Sequence, residues 1–389
     1  MRHWTCGWSI SHARILVTIC NSHKRTSRIV IPNNLDGDLL RLRFSNLYGH
    51  RPVSIGNARI ALCNAQGEID ERTDRALIVG GKTKFSIPKT GELYSDEIPF
   101  SIRAGDHLAV SLYFPSRLRP LSGNEIRKQT LRSISGDYCS AQVFPPEEDV
   151  LVPKALVEKL PDVQIPVTPI LSGLDIYTDK TPRVIAAFGD SITQQSTWTR
   201  PLTQRLYARF PREVTLSNHG IGGNRLLRDT APVYDALFGD AGIHRFEHDI
   251  LSIQGLTHVI FFLGINDIGL PGDFGIPRDQ LPTPEDYYET VTALVDTLHG
   301  RGVQVFGATL LPRTFTKIYD DEREKLRCEI NAWIRTSKVF DRVLDFDAVT
   351  RRSDGEHGLM PEYDCGDGLH PSPVGGAAIA ESIDLSWFF

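Results

Sequence analysis

Ser191 lies in Gly189-Asp190-Ser191-Ile192-Thr193, directly after the apolar run Val184-Ile185-Ala186-Ala187-Phe188 and ahead of a helical pattern. A serine at the junction of a buried strand and a helix can project its hydroxyl at a sheet edge, with the donors of the helix start beside it. Alone, Gly-Asp-Ser favours a simple helix cap. Three later groups reverse that reading: Gly220-Ile221-Gly222-Gly223, Gly264-Ile265-Asn266-Asp267 and Asp367-Gly368-Leu369-His370-Pro371. A serine hydroxyl becomes a nucleophile only when a base takes its proton. His370 is the natural candidate for that base, and Asp367 in the same turn can fix its tautomer and stabilise the imidazolium. The negative charge that develops on an attacked carbonyl needs donors, and the amides of Ser191 and Gly223 with the side-chain amide of Asn266 would supply them. The chemistry these residue types point to is acyl transfer through a serine.

Such residues must converge, and the second half of the chain has the periodicity to bring them together. Val184–Phe188, Val214–Leu216, His258–Leu263, Val303–Leu310 and Arg342–Phe346 read as strands, the first and third as uninterrupted apolar runs. Between them run helical stripes: Leu202, Leu206 and Phe210; Val291, Leu294, Val295 and Leu298; Leu326, Ile330, Trp333 and Ile334. Thr283-Pro284-Glu285-Asp286 reads as a capping box with proline in the first turn. Repeated βα units imply a mostly parallel sheet covered on both faces. Ligands of such sheets sit beyond the carboxyl ends of the strands, and all four reactive groups follow strands.

The first half reads differently. Leu40, Leu42 and Phe44 alternate with Arg41 and Arg43, and Leu108, Val110, Leu112 and Phe114 alternate with Ala109, Ser111 and Tyr113. Further strands are expected over 14–19, 28–31, 52–62, 84–87 and 97–102, separated by turn-prone groups such as Asn33-Asn34-Leu35-Asp36-Gly37. Many short strands with few helical stretches predict an antiparallel β-sandwich over 1–150. Pro153, Pro161, Pro166 and Pro169 keep interrupting regular structure, so 151–182 is expected to be a proline-rich linker, with an α/β domain over 183–389.

Composition narrows the class. A chain of 389 residues with 41% hydrophobic and 23% charged residues is an ordinary globular protein of two domains. A net charge of −5 gives no electrostatic case for nucleic acid or an anionic membrane. The six cysteines have no CxxC spacing and are too sparse for a disulfide framework. No apolar run approaches a membrane span and no signal peptide is visible, so a cytoplasmic location is expected.

The four groups, in this order and spacing, resemble the hallmark blocks of the SGNH (GDSL-type) hydrolase family, over roughly 183–389. The resemblance implies a flavodoxin-like three-layer α/β/α fold and ester hydrolysis without cofactor or metal. It assigns Ser191 as nucleophile, His370 and Asp367 as its partners, and Gly223 and Asn266 as oxyanion donors. The β-rich first half resembles appendages of some members. The expected function is a serine esterase acting on short acyl groups, such as acetyl, on a carbohydrate or other small hydroxylated compound. An acyltransferase would use the same triad, and a glycan- or protein-binding protein could use the same scaffold.

Other motifs compete. His244-Arg245-Phe246-Glu247-His248 matches an H-x-x-E-H zinc pattern, but it lies between strands and away from the expected edge. Gly80-Gly81-Lys82-Thr83 resembles the end of a phosphate loop without its leading glycine or its βα unit. Cys365 is a thiol near His370, expected to line the loop. Asp190 and Asp267 read as turn-forming residues. Trp198 reads as a sugar-stacking wall or as helix packing, and Arg225 as a substrate contact or a surface ion pair.

Overall fold

The structure is a computed structural model that describes residues 2–15, 23–118, 121–124, 131–145, 168–230, 238–314, 320–354 and 356–389. Two compact units divide it: Met1–Pro182 with Phe210–Thr215, and Arg183–Arg209 with Leu216–Phe389. No described helix is long and apolar enough to cross a membrane.

The first unit is built from antiparallel sheets. One runs in the order His3–Ser9, Leu171–Thr178, Gly37–Ser45, Ile98–Ile102, with Glu92–Tyr94 also pairing with Gly37–Ser45. The other runs Leu131–Ser135, Arg25–Pro32, His107–Phe114, Asn57–Cys63, Arg75–Ala76. The alternating apolar residues Leu40, Leu42, Phe44, Leu108, Val110 and Leu112 are all buried in one hydrophobic cluster to which both sheets contribute. Alternation understates the burial of His107–Phe114, because Ala109 and Ser111 on its other face are buried too. Ser111 accepts from Arg28 Nε at 2.9 Å, and the rest of that buried guanidinium donates to carbonyls of Gly67, Cys139, Ala141 and Gln142 under the Phe144 ring. A loop held by one arginine covers the face that alternation leaves to water.

Two sequence expectations change here. The strand expected over 52–62 is two strands, Val53–Ile55 and Asn57–Cys63, which pair with different partners. They part at Gly56, where a Cβ would lie 2.9 Å from the Tyr113 ring. The expected linker over 151–182 is corrected at its end. Residues 151–167 lie outside the described residues, but Leu171–Thr178 is a strand paired on both sides, with Leu174 and Ile176 fully buried. Proline density misled because Pro169 is only the end of a two-residue strand, and the following Leu171-Ser172-Gly173-Leu174-Asp175-Ile176 carries the sheet pattern.

β1 (Arg183–Gly189), β2 (Val214–Gly220), β3 (Leu256–Phe262), β4 (Gln304–Ala308) and β5 (Arg342–Leu344) form one sheet in the order 2-1-3-4-5, which belongs to the second unit apart from Val214 and Thr215. β1, β3, β4 and β5 pair in parallel. Val184–Phe188 is fully buried along its length, as expected of a strand covered on both faces. The helix Thr199–Arg209 buries Leu202 and Leu206, and Pro284–His299 buries Val291, Val295 and Leu298. Thr283 caps the latter in a complete capping box with Asp286. The strand order reverses between β1 and β3, the kind of switch point beyond whose strand ends α/β sheets take their ligands.

If Leu171–Thr178 is core rather than connector, Ile176→Ala should cost about 2–5 kcal/mol of stability, as truncation of a buried isoleucine does. Denaturant unfolding followed by far-UV circular dichroism checks this; a change within error would return the segment to a linker.

Candidate active site

β1 ends at Gly189, and nothing larger fits there. A Cβ would lie 2.2 Å from Thr193 Oγ1 and 2.9 Å from the Phe262 carbonyl of β3. The chain turns at once into the short helix Ser191–Gln194, capped by Asp190, whose Oδ1 accepts from the Ile192 amide at 3.0 Å. Ser191 begins this turn and is half-buried.

His370 and Asp367 arrive on the loop after β5. The Asp364 carboxylate accepts from the amides of Gly366, Asp367 and Gly368, which folds the turn into a fixed shape. Gly366 and Gly368 take φ of 104° and 73°, a region that favours glycine. The turn presents His370 Nε2 to Ser191 Oγ at 2.7 Å and His370 Nδ1 to Asp367 Oδ2 at 2.6 Å. Asp367 Oδ1 also accepts from the amides of Leu369 and His370 at 2.9 and 2.8 Å. Burial alone would raise the Asp367 carboxyl, but these bonds and the imidazole charge hold it well below the usual carboxylate range. It is therefore ionised and able to orient Nδ1–H, which leaves the Nε2 lone pair facing the hydroxyl.

The glycine and asparagine groups are braced against this turn. Gly220 lies so close to Asp190 O and Gln194 N that a Cβ would be 2.7 and 2.3 Å away. Asn218 Nδ2 donates to Thr193 O at 2.7 Å, and Ile221 N donates to Gly189 O at 3.3 Å. Gly223 has φ of 69°, and its missing Cβ would meet the Phe238 ring at 2.2 Å. Asn266, on the helix Ile265–Gly269 after β3, donates through Nδ2 to Asn224 O at 3.0 Å. Asp267 accepts from the amides of Leu226 and Leu227 at 2.7 and 2.9 Å. The structure thus brings Ser191, His370 and Asp367 into one hydrogen-bonded row and locks the Gly223 and Asn266 segments to each other.

Arg245, passed over inside the zinc-like motif, is the cation that holds this edge together. It is 2% exposed. Nη2 donates to Gly189 O at 2.8 Å, Nη1 to His219 O and Asp249 Oδ2 at 3.0 Å each, and Nε to Asn224 Oδ1 at 2.9 Å. The signal was present as an arginine and an aspartate four residues apart within a segment that also buries Phe246 and Ile250. The motif's histidines serve separate acids: His244 pairs with Asp229 at 2.9 Å and His248 with Asp249 at 2.8 Å.

Other candidates resolve similarly. Trp198 is wholly buried and packs on Phe262 and Phe346, so it stacks on no sugar. Arg225 is buried as well, donating to Gln280 Oε1 at 2.8 Å with Asp267 4.0 Å away, so it is neither a surface pair nor exposed to a substrate. The Gly80 and Gly81 amides each donate to the Asp96 carboxylate at 2.8 Å. Cys365 is exposed, and partial desolvation of its thiol together with the Asp367 charge raises its pKa, which favours the thiol over the nucleophilic thiolate.

Asp190 is fully buried beside Ser191, and burial pushes its carboxyl up to about 7. The Ile192 amide and the charges of His370 and Arg313 oppose that rise, while Asp267 adds to it. The folded pKa exceeds the unfolded one, so folding takes up a proton between them. The stabilisation is complete below pH about 4 and is lost as pH rises to about 7. Asp190→Asn should flatten that part of the stability–pH curve, measured by thermal unfolding from pH 4 to 8; an unchanged slope would place the titration elsewhere.

Residues 187–378 match the family model described as GDSL-like Lipase/Acylhydrolase. No curated protein matches the chain. Among solved structures, the chain is similar to an alpha/beta hydrolase enzyme from the metagenome of Lake Arreo, at 23% identity, covering 51% of this chain and 92% of that one, with a TM-score of 0.39. It is similar to an acetylxylan esterase from Geobacillus stearothermophilus at 19% identity, covering 52% and 94%, with a TM-score of 0.39. A GDSL-like lipase from Bacteroides thetaiotaomicron aligns at 18% identity over 52% and 86%, with a TM-score of 0.36. The chain is thus an enzyme whose residues 187–378 form a GDSL-like lipase/acylhydrolase domain.

Proposed function

We propose that this enzyme is a serine esterase working through an acyl-enzyme. Ser191 Oγ attacks the ester carbonyl while His370 Nε2 takes its proton. Asp367 keeps Nδ1 protonated and steadies the imidazolium. The tetrahedral oxyanion rests on the amides of Ser191 and Gly223 and the side-chain amide of Asn266. His370 then protonates the departing alcohol, and a water molecule activated by the same imidazole releases the acid. The observation that carries the reading is the continuous row Ser191 Oγ, His370, Asp367, with links of 2.7 and 2.6 Å.

The substrate class we propose is a short acyl ester, acetyl foremost, on a carbohydrate or small hydroxylated compound. Crowding at Gly223 supports a small acyl group: Phe238 sits against it and meets Phe274 edge to face at 5.8 Å. The 2-1-3-4-5 sheet supports a flavodoxin-like three-layer reading of residues 183–389 as the catalytic domain. The shared core of the two five-stranded sheets supports a β-sandwich accessory unit before it.

Ser191→Ala should abolish turnover of p-nitrophenyl acetate while leaving the circular dichroism spectrum unchanged, and wild-type turnover in this variant would overturn the reading. Asn266→Ala should lower kcat by about 10²–10³-fold if its amide serves the oxyanion. Asp367→Asn should lower kcat by up to about 10⁴-fold with the imidazole left in the wrong tautomer. On a p-nitrophenyl panel, kcat/KM should fall as the acyl chain lengthens beyond acetyl and propionyl. A profile rising toward long chains would reject the short-acyl assignment.

A further inference from the structure

We propose that Cys365, Asp367 and His370 form a site for a thiophilic divalent cation, Zn²⁺ being the reference ion, whose occupation switches the hydrolase off. The inference deepens the esterase reading and rests on it for the consequence, though not for the site. The thiol Sγ, a carboxylate oxygen and an imidazole nitrogen lie within 4.8 Å of one another. In a tetrahedral zinc site ligand atoms stand about 3.3–3.8 Å apart, given bonds of 2.0–2.3 Å, so small side-chain rotations close the set. The three residues occupy a single turn, fixed by Asp364 and by the Cys365 amide donating to His370 O at 3.0 Å. Cys365 is exposed, so an ion reaches the site from solvent. One thiolate, one carboxylate and one neutral imidazole balance a dication, and this mixture of sulfur, nitrogen and oxygen suits Zn²⁺ rather than Mg²⁺.

Occupation removes the base whichever nitrogen is used. If the ion takes Nδ1, it displaces Asp367 from that nitrogen, and the ring proton moves to Nε2, where it fills the lone pair that Ser191 needs. If the ion takes Nε2, the lone pair is spent directly. In either case the thiol releases one proton to solvent as sulfur bonds to the metal, and no oxidation occurs. Chelation reverses the step. The turn therefore carries two mutually exclusive pairings for one imidazole, to a proton and a carboxylate or to a metal.

The test uses the full chain, freed of metal by chelation and exchange. Zn²⁺ should lower p-nitrophenyl acetate turnover by at least about tenfold, EDTA should restore it, and Mg²⁺ should do neither. Cys365→Ser should keep the metal-free rate and need about 10–100-fold more Zn²⁺ for the same inhibition, the loss typical of a removed metal-site group. Equal zinc sensitivity in wild type and Cys365→Ser would overturn the proposal. A second measurement is independent of catalysis. Co²⁺ added to Ser191→Ala should give a thiolate-to-cobalt charge-transfer band that is lost when Cys365→Ser is added. Absence of that difference overturns the site. A band in a wild-type protein that hydrolyses no ester supports the site and instead refutes the esterase reading.

Discussion

A guanidinium sealed from water sits behind the reactive edge. Arg245 donates to the last carbonyl of β1, to the next-to-last carbonyl of β2, to Asn224 after the glycine turn and to Asp249, and it lies 4.3 Å over the Phe188 ring. Burying a cation is costly unless every donor is matched, and here each contact falls on a segment that must not drift. Gly189 lies two residues before Ser191, His219 leads into the glycine group, and Asn224 is the residue to which Asn266 donates. Strand ends that would otherwise splay are held at one point. The serine turn and the glycine and asparagine segments are tied together through that shared anchor.

Around it, two carboxyl groups at the same edge are pushed in opposite directions. Asp190 is enclosed, its carboxylate accepting a hydrogen bond from the Ile192 amide, and burial dominates. Asp367 is partly open and accepts from two backbone amides and the imidazole, and those bonds dominate. Separated carboxyl pKa values of this kind mark a division of labour. The charged group stands against the His370 imidazole, while the one under the serine turn caps that turn and is pushed toward its neutral form. Cys365 belongs to neither role, which is why the thiol is available for other chemistry.

Much of this was legible in the residues themselves. The βα alternation, the helix start at Thr283 and the convergence of Ser191, Asp367 and His370 followed from period, capping chemistry and residue type. What escaped were matters of long-range burial. Nothing local says that Arg28 pins a loop over Ala109 and Ser111, or that Arg245 and Arg225 turn inward, since arginine is ordinarily a surface residue. Trp198 showed the same ambiguity, and the packing of Phe262 and Phe346 against it decided the matter. Leu171–Thr178 was hidden for another reason. Its strand pattern follows immediately on a run of prolines, and a sheet 130 residues away in sequence supplies the pairing partners that prolines alone argue against.

The glycine pair at 80–81 shows how a shape can exist without its customary guest. Two successive amides converge there on an anion, but the anion is the side chain of Asp96, supplied by the same polypeptide. A tethered group competes at an effective concentration in about the millimolar range, before any external ligand arrives. A phosphate would have to expel a resident carboxylate whose entropy of association has already been met. The loop's two amides are satisfied by folding itself, and the likeness to a nucleotide cradle goes no further than backbone curvature.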